Sequence, residues 1–148
     1  MPWQASATYL PTVKQGKPIC LLTLDFKPAF DRISHHYLVK ILLQYGITNW
    51  FADRLQELYT PAQASVEGNG SLAGPIEIRS GVRQGCPISM ILYSLCLHTL
   101  LSSLEKTLPG IPIGHQVYSP VIACADDVTV FVSNPEDFIT ISHTIRQY

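Results

Sequence analysis

Two adjacent carboxylates, Asp126 and Asp127, lie between two apolar, β-branched runs at residues 121–124 and 128–132. Such runs on either side of a short polar break predict a β-hairpin with the two acids at its tip. Neighbouring strand residues point to opposite faces, but a tight turn can bring both side chains toward one cleft. Because Asp is a common turn residue, the pair alone does not establish a site.

A third carboxylate, Asp25, follows a continuous apolar run at residues 19–24, which is typical of a buried strand. If this strand lies beside the hairpin, three carboxylates meet at one edge of the sheet. At an effective dielectric constant of about 20, two like charges ~4 Å apart repel each other by about 4 kcal/mol, so the cluster requires cations. Oxygen ligands favour Mg²⁺, with Mn²⁺ as the alternative, because Zn²⁺ prefers His or Cys. Two such ions ~3.5–4 Å apart can promote phosphoryl or nucleotidyl transfer.

The composition predicts a compact intracellular protein. Hydrophobic residues make up 47% of the 148 residues and charged residues 14%, which excludes wholesale disorder. The four cysteines lack zinc-site spacing, so we expect reduced thiols. Neither a secretory signal nor a membrane span is expected, because polar residues interrupt the apolar stretch at residues 91–101. The net charge of −1 gives no general attraction for nucleic acid.

The order of elements predicts an α+β fold, an antiparallel sheet with helices packed on one face. We expect residues 1–18 to be a poorly structured lead-in and residues 19–148 to form the domain. Apolar spacing and turn residues predict helices after Ser34 and Thr48, strands at residues 62–67 and 75–80, a long helix from Pro87 and a last helix after Asn134. The predicted core faces of the first, second and last helices are Leu38, Ile41, Leu42 and Tyr45; Phe51, Leu55 and Leu58; and Phe138, Ile141 and Ile145.

A glycine-rich segment at residues 81–89 (GVRQGCPIS) precedes the predicted long helix. It can be a tight connection between a strand and a helix. It can also present free N–H groups at the helix start to a phosphate-bearing partner. The segment by itself leaves both interpretations open.

Three segments resemble the first three palm motifs of reverse transcriptases, the RNA-directed DNA polymerases. They are residues 24–33 (LDFKPAFDRI), 81–89 (GVRQGCPIS) and 125–127 (ADD), and their order and spacing also match. The middle segment and the AFD sequence at residues 29–31 resemble enzymes of non-LTR (LINE-like) retrotransposons more than retroviral ones. The resemblance implies a polymerase palm of ferredoxin-like fold, with fingers and thumb largely missing.

The resemblance also implies roles for individual residues. Asp25 and Asp126 would ligate two Mg²⁺ ions, and the carbonyl of Phe26 would add a ligand. Asp127 would support the site from its edge. The site would transfer a nucleotide from a dNTP to the 3′-hydroxyl of a primer, a reaction that needs positioning and charge neutralisation more than a strong base.

Nucleotide binding is assigned in the same way. By resemblance, Phe30 is the aromatic steric gate that crowds a ribose 2′-hydroxyl, and Gln84 and Gly85 lie along the incoming nucleotide and template. Cys124 stands where the family usually has an aromatic residue, and Pro28 where many relatives have Lys. The implied partners are an RNA template, a DNA primer and a dNTP, without a membrane, in a nuclear or cytoplasmic ribonucleoprotein. The oligomeric state stays open.

Two other functions fit parts of the sequence. One is a catalytically inactive retroelement remnant that acts at most as a protein-interaction module, which the expected lack of fingers and thumb would favour. The other is a palm-type nucleotidyl cyclase, which also uses metal-binding carboxylates. The Gly-x-x-Gln-Gly-x-Pro pattern at residues 81–87 argues against the cyclase.

Overall fold

The structure is a computed structural model that describes residues 3–14, 17–26, 29–112 and 118–148. It mixes helices with antiparallel strands, which confirms the predicted α+β class. Pro28 lies outside the described residues. The elements are β1 (Trp3–Lys14), β2 (Lys17–Phe26), a 3₁₀ turn (Phe30–Arg32), α1 (His35–Gln44), α2 (Asn49–Tyr59), β3 (Ala62–Gly68), β4 (Ser71–Ile78), α3 (Pro87–Thr107), β5 (Ile111–Pro112), β6 (Tyr118–Ser119), β7 (Val121–Cys124), β8 (Asp127–Val132) and α4 (Pro135–Gln147).

The chain divides into two compact units. The first unit consists of Met1–Ala29 and Leu97–Tyr148, and the second is Phe30–Cys96. The first unit is therefore assembled from the two ends of the sequence, whereas the second is continuous.

A four-stranded antiparallel sheet in the order β1-β2-β8-β7 forms the centre of the first unit. Leu22 and Leu24 of β2 pair with Val130 and Val128 of β8. Directly paired residues point to the same face, and none of these four side chains is more than 6% exposed. Helix α4 contacts β8. The sheet thus has one deeply buried face.

The predicted lead-in was wrong over Trp3–Lys14, which forms β1. This strand pairs with β2 from Trp3 opposite Phe26 to Leu10 opposite Ile19 and, after an irregularity, at Lys14 opposite Lys17. The pairing is made by backbone groups, and an edge strand of this kind need not carry an apolar repeat. Periodicity therefore gave no signal for it.

The second unit contains α1, α2, the β3–β4 hairpin and the first turns of α3. Helix α1 begins at the predicted N-cap Ser34, whose hydroxyl accepts a hydrogen bond from the backbone N–H of Tyr37 at 3.5 Å. This cap satisfies one of the unpaired N–H groups of the first turn. Gly46 follows the helix with φ +76°, a conformation that favours glycine.

Some predicted core residues are exposed instead. They are Tyr45, Leu58 and Phe138. In α2 the buried residues are Ala52, Leu55 and Tyr59, so the inward face is rotated away from Leu58. Tyr45 lies at the C-cap of α1 and Phe138 near the start of α4, where a terminal turn need not continue the buried stripe.

Helix α3 is 21 residues long and largely apolar. Among the described residues it is the one helix that is long and apolar enough to cross a membrane, although 39% of its most apolar window is buried inside the structure. The sequence-based argument against a span counted only residues 91–101, which are part of this longer helix. One such helix is weak evidence for a span, because a core helix passes the same test, and several residues of α3 are buried. They include Leu92, Tyr93, Cys96, Leu97, Leu100 and Leu104.

Candidate active site

Strand pairing places the first predicted acid beside one of the hairpin acids. Asp25 of β2 is directly opposite Asp127, the first residue of β8. Residues paired in this way have Cβ atoms about 4.5–5.5 Å apart and share a face. The next pair along the strands, Leu24 and Val128, is fully buried on the other face. Asp25 and Asp127 therefore lie on the more open face of the sheet.

The third acid, Asp126, lies in the turn between β7 and β8. The turn consists of Ala125 and Asp126 and is closed by the pairing of Cys124 with Asp127. Ala125 has φ +54°, an uncommon value for a residue with a Cβ atom and one that costs roughly 1–2 kcal/mol. Strained backbone of this kind is frequent at functional sites. The turn places Asp126 one residue away from the Asp25–Asp127 pair.

These acids suit an oxygen-ligated cation in type. Three carboxylates favour Mg²⁺ or Mn²⁺ over zinc, and the pairing of Asp25 with Asp127 is fixed by two central strands. In the described part of the chain, however, no three His, Cys, Asp or Glu side chains are gathered closely enough to hold a metal ion. The backbone pairing thus places Asp25 opposite Asp127. Among the described residues, the three carboxylates are not close enough together to bind one ion.

Phe26, whose carbonyl the resemblance assigns as a ligand, is the last residue of β2. The whole residue is 4% exposed, so both its ring and its backbone are largely covered in this structure. Its place directly after Asp25 puts that carbonyl at the same end of β2.

The second unit contains the residues assigned to nucleotide binding. Phe30 begins the 3₁₀ turn, and its ring stacks on Tyr93 with centroids 4.8 Å apart and 26° between the planes. The backbone N–H of Val82 donates to the carbonyl of Phe30 at 2.8 Å, and the N–H of Gly81 donates to the carbonyl of Ile33 at 2.8 Å. The turn that carries Phe30 is therefore held against the glycine-rich segment.

Asp31 also connects the 3₁₀ turn to the glycine-rich segment. No role was predicted for it from the sequence. The Gln84 amide donates to Asp31 Oδ1 at 3.3 Å, and the Ser80 hydroxyl donates to the Asp31 carbonyl at 3.0 Å. A Cβ atom on Gly81 would lie 2.8 Å from Asp31 Cα, so the close approach requires glycine there. The sequence feature that could have pointed to Asp31 is its position directly after Phe30.

Arg83 and Gln84 line two cavities. One, of about 420 Å³, is also lined by Phe30, Gly85 and Ser89, and it is where the resemblance places the incoming nucleotide. Gly85 has φ +83°, and nothing lies within 4 Å of the position a Cβ atom would take. Its backbone is therefore open to a ligand. The Ser89 hydroxyl is buried and has no hydrogen-bond partner among the described residues.

Comparisons with known proteins agree with the motif assignment. The family model for reverse transcriptase (RNA-dependent DNA polymerase) matches residues 4–148. The transposon TX1 uncharacterized 149 kDa protein of Xenopus laevis is 37% identical over 125 residues, which is 84% of this chain and 10% of that protein. A Pol polyprotein from the type-1 retrotransposable element R2 of Popillia japonica is 34% identical over 143 residues, 90% of this chain and 19% of the polyprotein. A Pol polyprotein from the type-2 retrotransposable element R2DM of Drosophila melanogaster is 32% identical over 118 residues, 80% of this chain and 11% of the polyprotein.

The family match includes all three motif segments and nearly the whole chain. The chain spans less than a fifth of the length of the curated relatives named here. Enzymes of this family use divalent metal ions with a nucleic-acid template and primer. The predicted likeness to retrotransposon rather than retroviral enzymes is confirmed, and the chain belongs to the reverse transcriptase (RNA-dependent DNA polymerase) family, in its non-LTR retrotransposon branch.

Proposed function

We propose that this chain provides the polymerase palm of a retrotransposon-encoded RNA-directed DNA polymerase. In this reaction a primer 3′-hydroxyl attacks the α-phosphate of a dNTP, and pyrophosphate leaves. The observation that carries the proposal is the direct pairing of Asp25 with Asp127 beside the turn that holds Asp126.

The acids would act through divalent metal. Asp25 and Asp126 would ligate Mg²⁺ or Mn²⁺ with the Phe26 carbonyl, and Asp127 would support them from the next strand position. When bound, the metal would neutralise charge on the transferred phosphate and assist the attacking hydroxyl. The contribution of the chain itself is position, because β2 and β8 hold Asp25 opposite Asp127 before any ligand binds.

The second unit would select the nucleotide. Stacking on Tyr93 holds the Phe30 ring in one orientation, which supports a role in excluding a ribose 2′-hydroxyl by contact. Gln84 is oriented by its bond to Asp31, and the open backbone at Gly85 leaves room for the nucleotide and template. An RNA template, a DNA primer and a dNTP are the proposed partners, and an intracellular ribonucleoprotein is the proposed location.

Primer extension on an RNA template tests the proposal. This chain, or a longer chain that contains it, should incorporate deoxynucleotides when given template, primer, dNTPs and Mg²⁺, and Asp25→Asn or Asp126→Asn should reduce the rate at least about 100-fold. Asp53→Asn, an exposed acid on α2, is the matched control and should leave the rate unchanged. Absence of incorporation both by this chain and by a longer chain that contains it, or incorporation that survives Asp126→Asn, would contradict the proposal.

A further inference from the structure

We propose that His35 is a positioning residue for sugar selection, which acts on Phe30 through one peptide unit of the glycine-rich segment. Its imidazole holds the peptide unit between Gly81 and Val82, and this unit holds the carbonyl of Phe30. None of the roles assigned above involves His35. The inference rests on the proposed function, because it takes the Phe30 ring as the group that excludes a ribose 2′-hydroxyl.

Hydrogen bonds run from the imidazole to the turn that carries Phe30. His35 Nε2 lies 2.9 Å from the carbonyl oxygen of Gly81. A carbonyl oxygen can only accept, so Nε2 carries the hydrogen and donates it. On the other side of the same peptide unit, the N–H of Val82 donates to the Phe30 carbonyl at 2.8 Å. Because a peptide unit is planar, the bond from His35 also fixes the direction in which the Val82 N–H points.

The imidazole is itself held in place. His35 is the first residue of α1, and its ring packs against the ring of Tyr59 with centroids 4.9 Å apart and 31° between the planes. Tyr59 is 3% exposed, so this support belongs to the buried core. A packing contact and a hydrogen bond therefore fix the imidazole at the point where it meets the glycine-rich segment.

Neither the start of α1 nor the attachment of the segment requires this histidine. The Ser34 hydroxyl accepts a hydrogen bond from the Tyr37 N–H and so caps the helix. The N–H of Gly81 donates to the Ile33 carbonyl at 2.8 Å, so backbone groups already attach the segment to the turn. The imidazole adds a donor for the Gly81 carbonyl, and its effect is to orient the peptide unit.

Loss of this donor would affect sugar selection more than the chemical step. The Phe30 ring lines the cavity assigned to the nucleotide, and a group that excludes a hydroxyl by contact works only while it is held still. Asp25 and Asp126 lie on β2 and in the turn before β8, outside this chain of hydrogen bonds. A purely structural role of His35 would instead lower activity with every nucleotide alike.

Three variants separate the hydrogen bond from the ring packing. His35→Phe keeps a ring against Tyr59 but removes the donor, whereas His35→Gln keeps an amide donor. His36→Phe changes the exposed neighbour and is the matched control. In primer extension by this chain, or by a longer chain that contains it, the ratio of kcat/KM for a dNTP to that for the matching rNTP should fall about 3- to 10-fold in His35→Phe, as expected for one lost hydrogen bond. The ratio should stay within about 2-fold of the unmodified value in the other two variants.

Amide exchange measured by NMR tests the same connection without nucleotide, metal or activity. The amide hydrogen of Val82 should exchange about 3- to 10-fold faster in His35→Phe than in the unmodified chain. It should be unchanged in His35→Gln and His36→Phe. The amide of Leu42, a fully buried residue of α1, is the reference for a general loss of structure.

An unchanged Val82 amide in His35→Phe, or an equal acceleration at Leu42, would overturn the inference. A faster Val82 amide with an unchanged dNTP-to-rNTP ratio would also overturn it, since the peptide unit would then not govern sugar selection. Absence of primer extension by the unmodified chains would instead overturn the polymerase proposal, and the role in sugar selection with it. The Val82 amide would still decide whether His35 holds the peptide unit.

Discussion

Asp25 and Asp127 form a like-charged pair across two central strands, where such pairs usually destabilise a sheet. Strand pairing at this position does not require an acid, because the next pair on the same face is Thr23 with Thr129. The pair is therefore a local cost to stability that a bound cation would remove.

This cost predicts opposite effects of one substitution on stability and metal response. Asp127→Asn should stabilise the metal-free chain by about 0.2–1 kcal/mol, because it removes the opposed charge, and should reduce the rise in Tm that Mg²⁺ or Mn²⁺ produces. Differential scanning fluorimetry with and without metal measures both. Asp53→Asn, on α2, should change neither. A full metal response in Asp126→Asn would show that the metal binds elsewhere.

Gly81 is required by the fit between the Phe30 turn and the glycine-rich segment. Gly81→Ala should destabilise the chain by about 3–5 kcal/mol, since strain at φ +96° is added to a contact of 2.8 Å with Asp31 Cα. Gly46→Ala adds strain at φ +76° without any neighbour within 4 Å and should cost only about 1–2 kcal/mol. Urea denaturation compares the two, and equal losses would contradict the close-contact explanation.

Burial raises the pKa of the Cys96 thiol to about 12, because the thiolate would lose its hydration. In the unfolded chain the thiol ionises near its ordinary pKa of about 8.5. The folded-state value is the higher one, so this contribution to stability is complete below the unfolded pKa and declines as pH rises toward 12. Between those values stability should fall by at most about 1.4 kcal/mol per pH unit.

Urea denaturation over this alkaline range should therefore show a steeper decline for the unmodified chain than for Cys96→Ala. Cys124→Ala removes an exposed thiol and should keep the steep decline. Parallel curves for the unmodified chain and Cys96→Ala would show that ionisation of Cys96 is not coupled to unfolding.

Among the helices, α4 has the most complete start. The Asp137 carboxylate accepts hydrogen bonds from the backbone N–H groups of Asn134 at 2.9 Å and Ser133 at 3.0 Å, and the Asn134 side chain completes a capping box. Asp137→Ala should cost about 1–2 kcal/mol, because it leaves these donors unpaired. Glu136→Ala, an exposed acid in the same turn, should cost less than about 1 kcal/mol. Thermal denaturation followed by circular dichroism distinguishes them.

Elements with local signals could be predicted from the sequence. Ser34 marks the start of α1 because a cap acts on its own first turn. The β7–β8 hairpin follows from β-branched runs around a short turn. The helix boundary at Pro87 also agrees, since proline fits a first helical turn.

Features that depend on distant partners could not be predicted in this way. Strand β1 exists through its pairing with β2, and Leu58 is exposed because the actual packing of α2 turns another face inward. The contact of Gly81 with Asp31 joins residues far apart in sequence. The unpaired Tyr59 hydroxyl is likewise visible only once α2 is packed.

Across the whole molecule, burial is unequal. Leu24, Val128 and Val130 in the central strands are 0% exposed, whereas every residue of β4 is exposed. Amide hydrogens of β2 and β8 should therefore exchange slowest and those of the β3–β4 hairpin much faster, because exposed two-stranded ribbons open locally. Hydrogen–deuterium exchange by mass spectrometry measures this. Equal protection of the hairpin would mean that something covers it in solution.

The order of the sheet strands along the chain has a consequence for biosynthesis. Strand β2 emerges from the ribosome before its partner β8 (Asp127–Val132), which follows about a hundred residues later. Until then the nascent chain carries an apolar strand with one bare edge, which is a template for pairing with other chains. Translation that stalls before Asp127 would release a product prone to aggregation and would never oppose its two strand acids. A chain that ends before Asp127 would therefore lack both the strand that covers this edge and the pairing of Asp25 with Asp127.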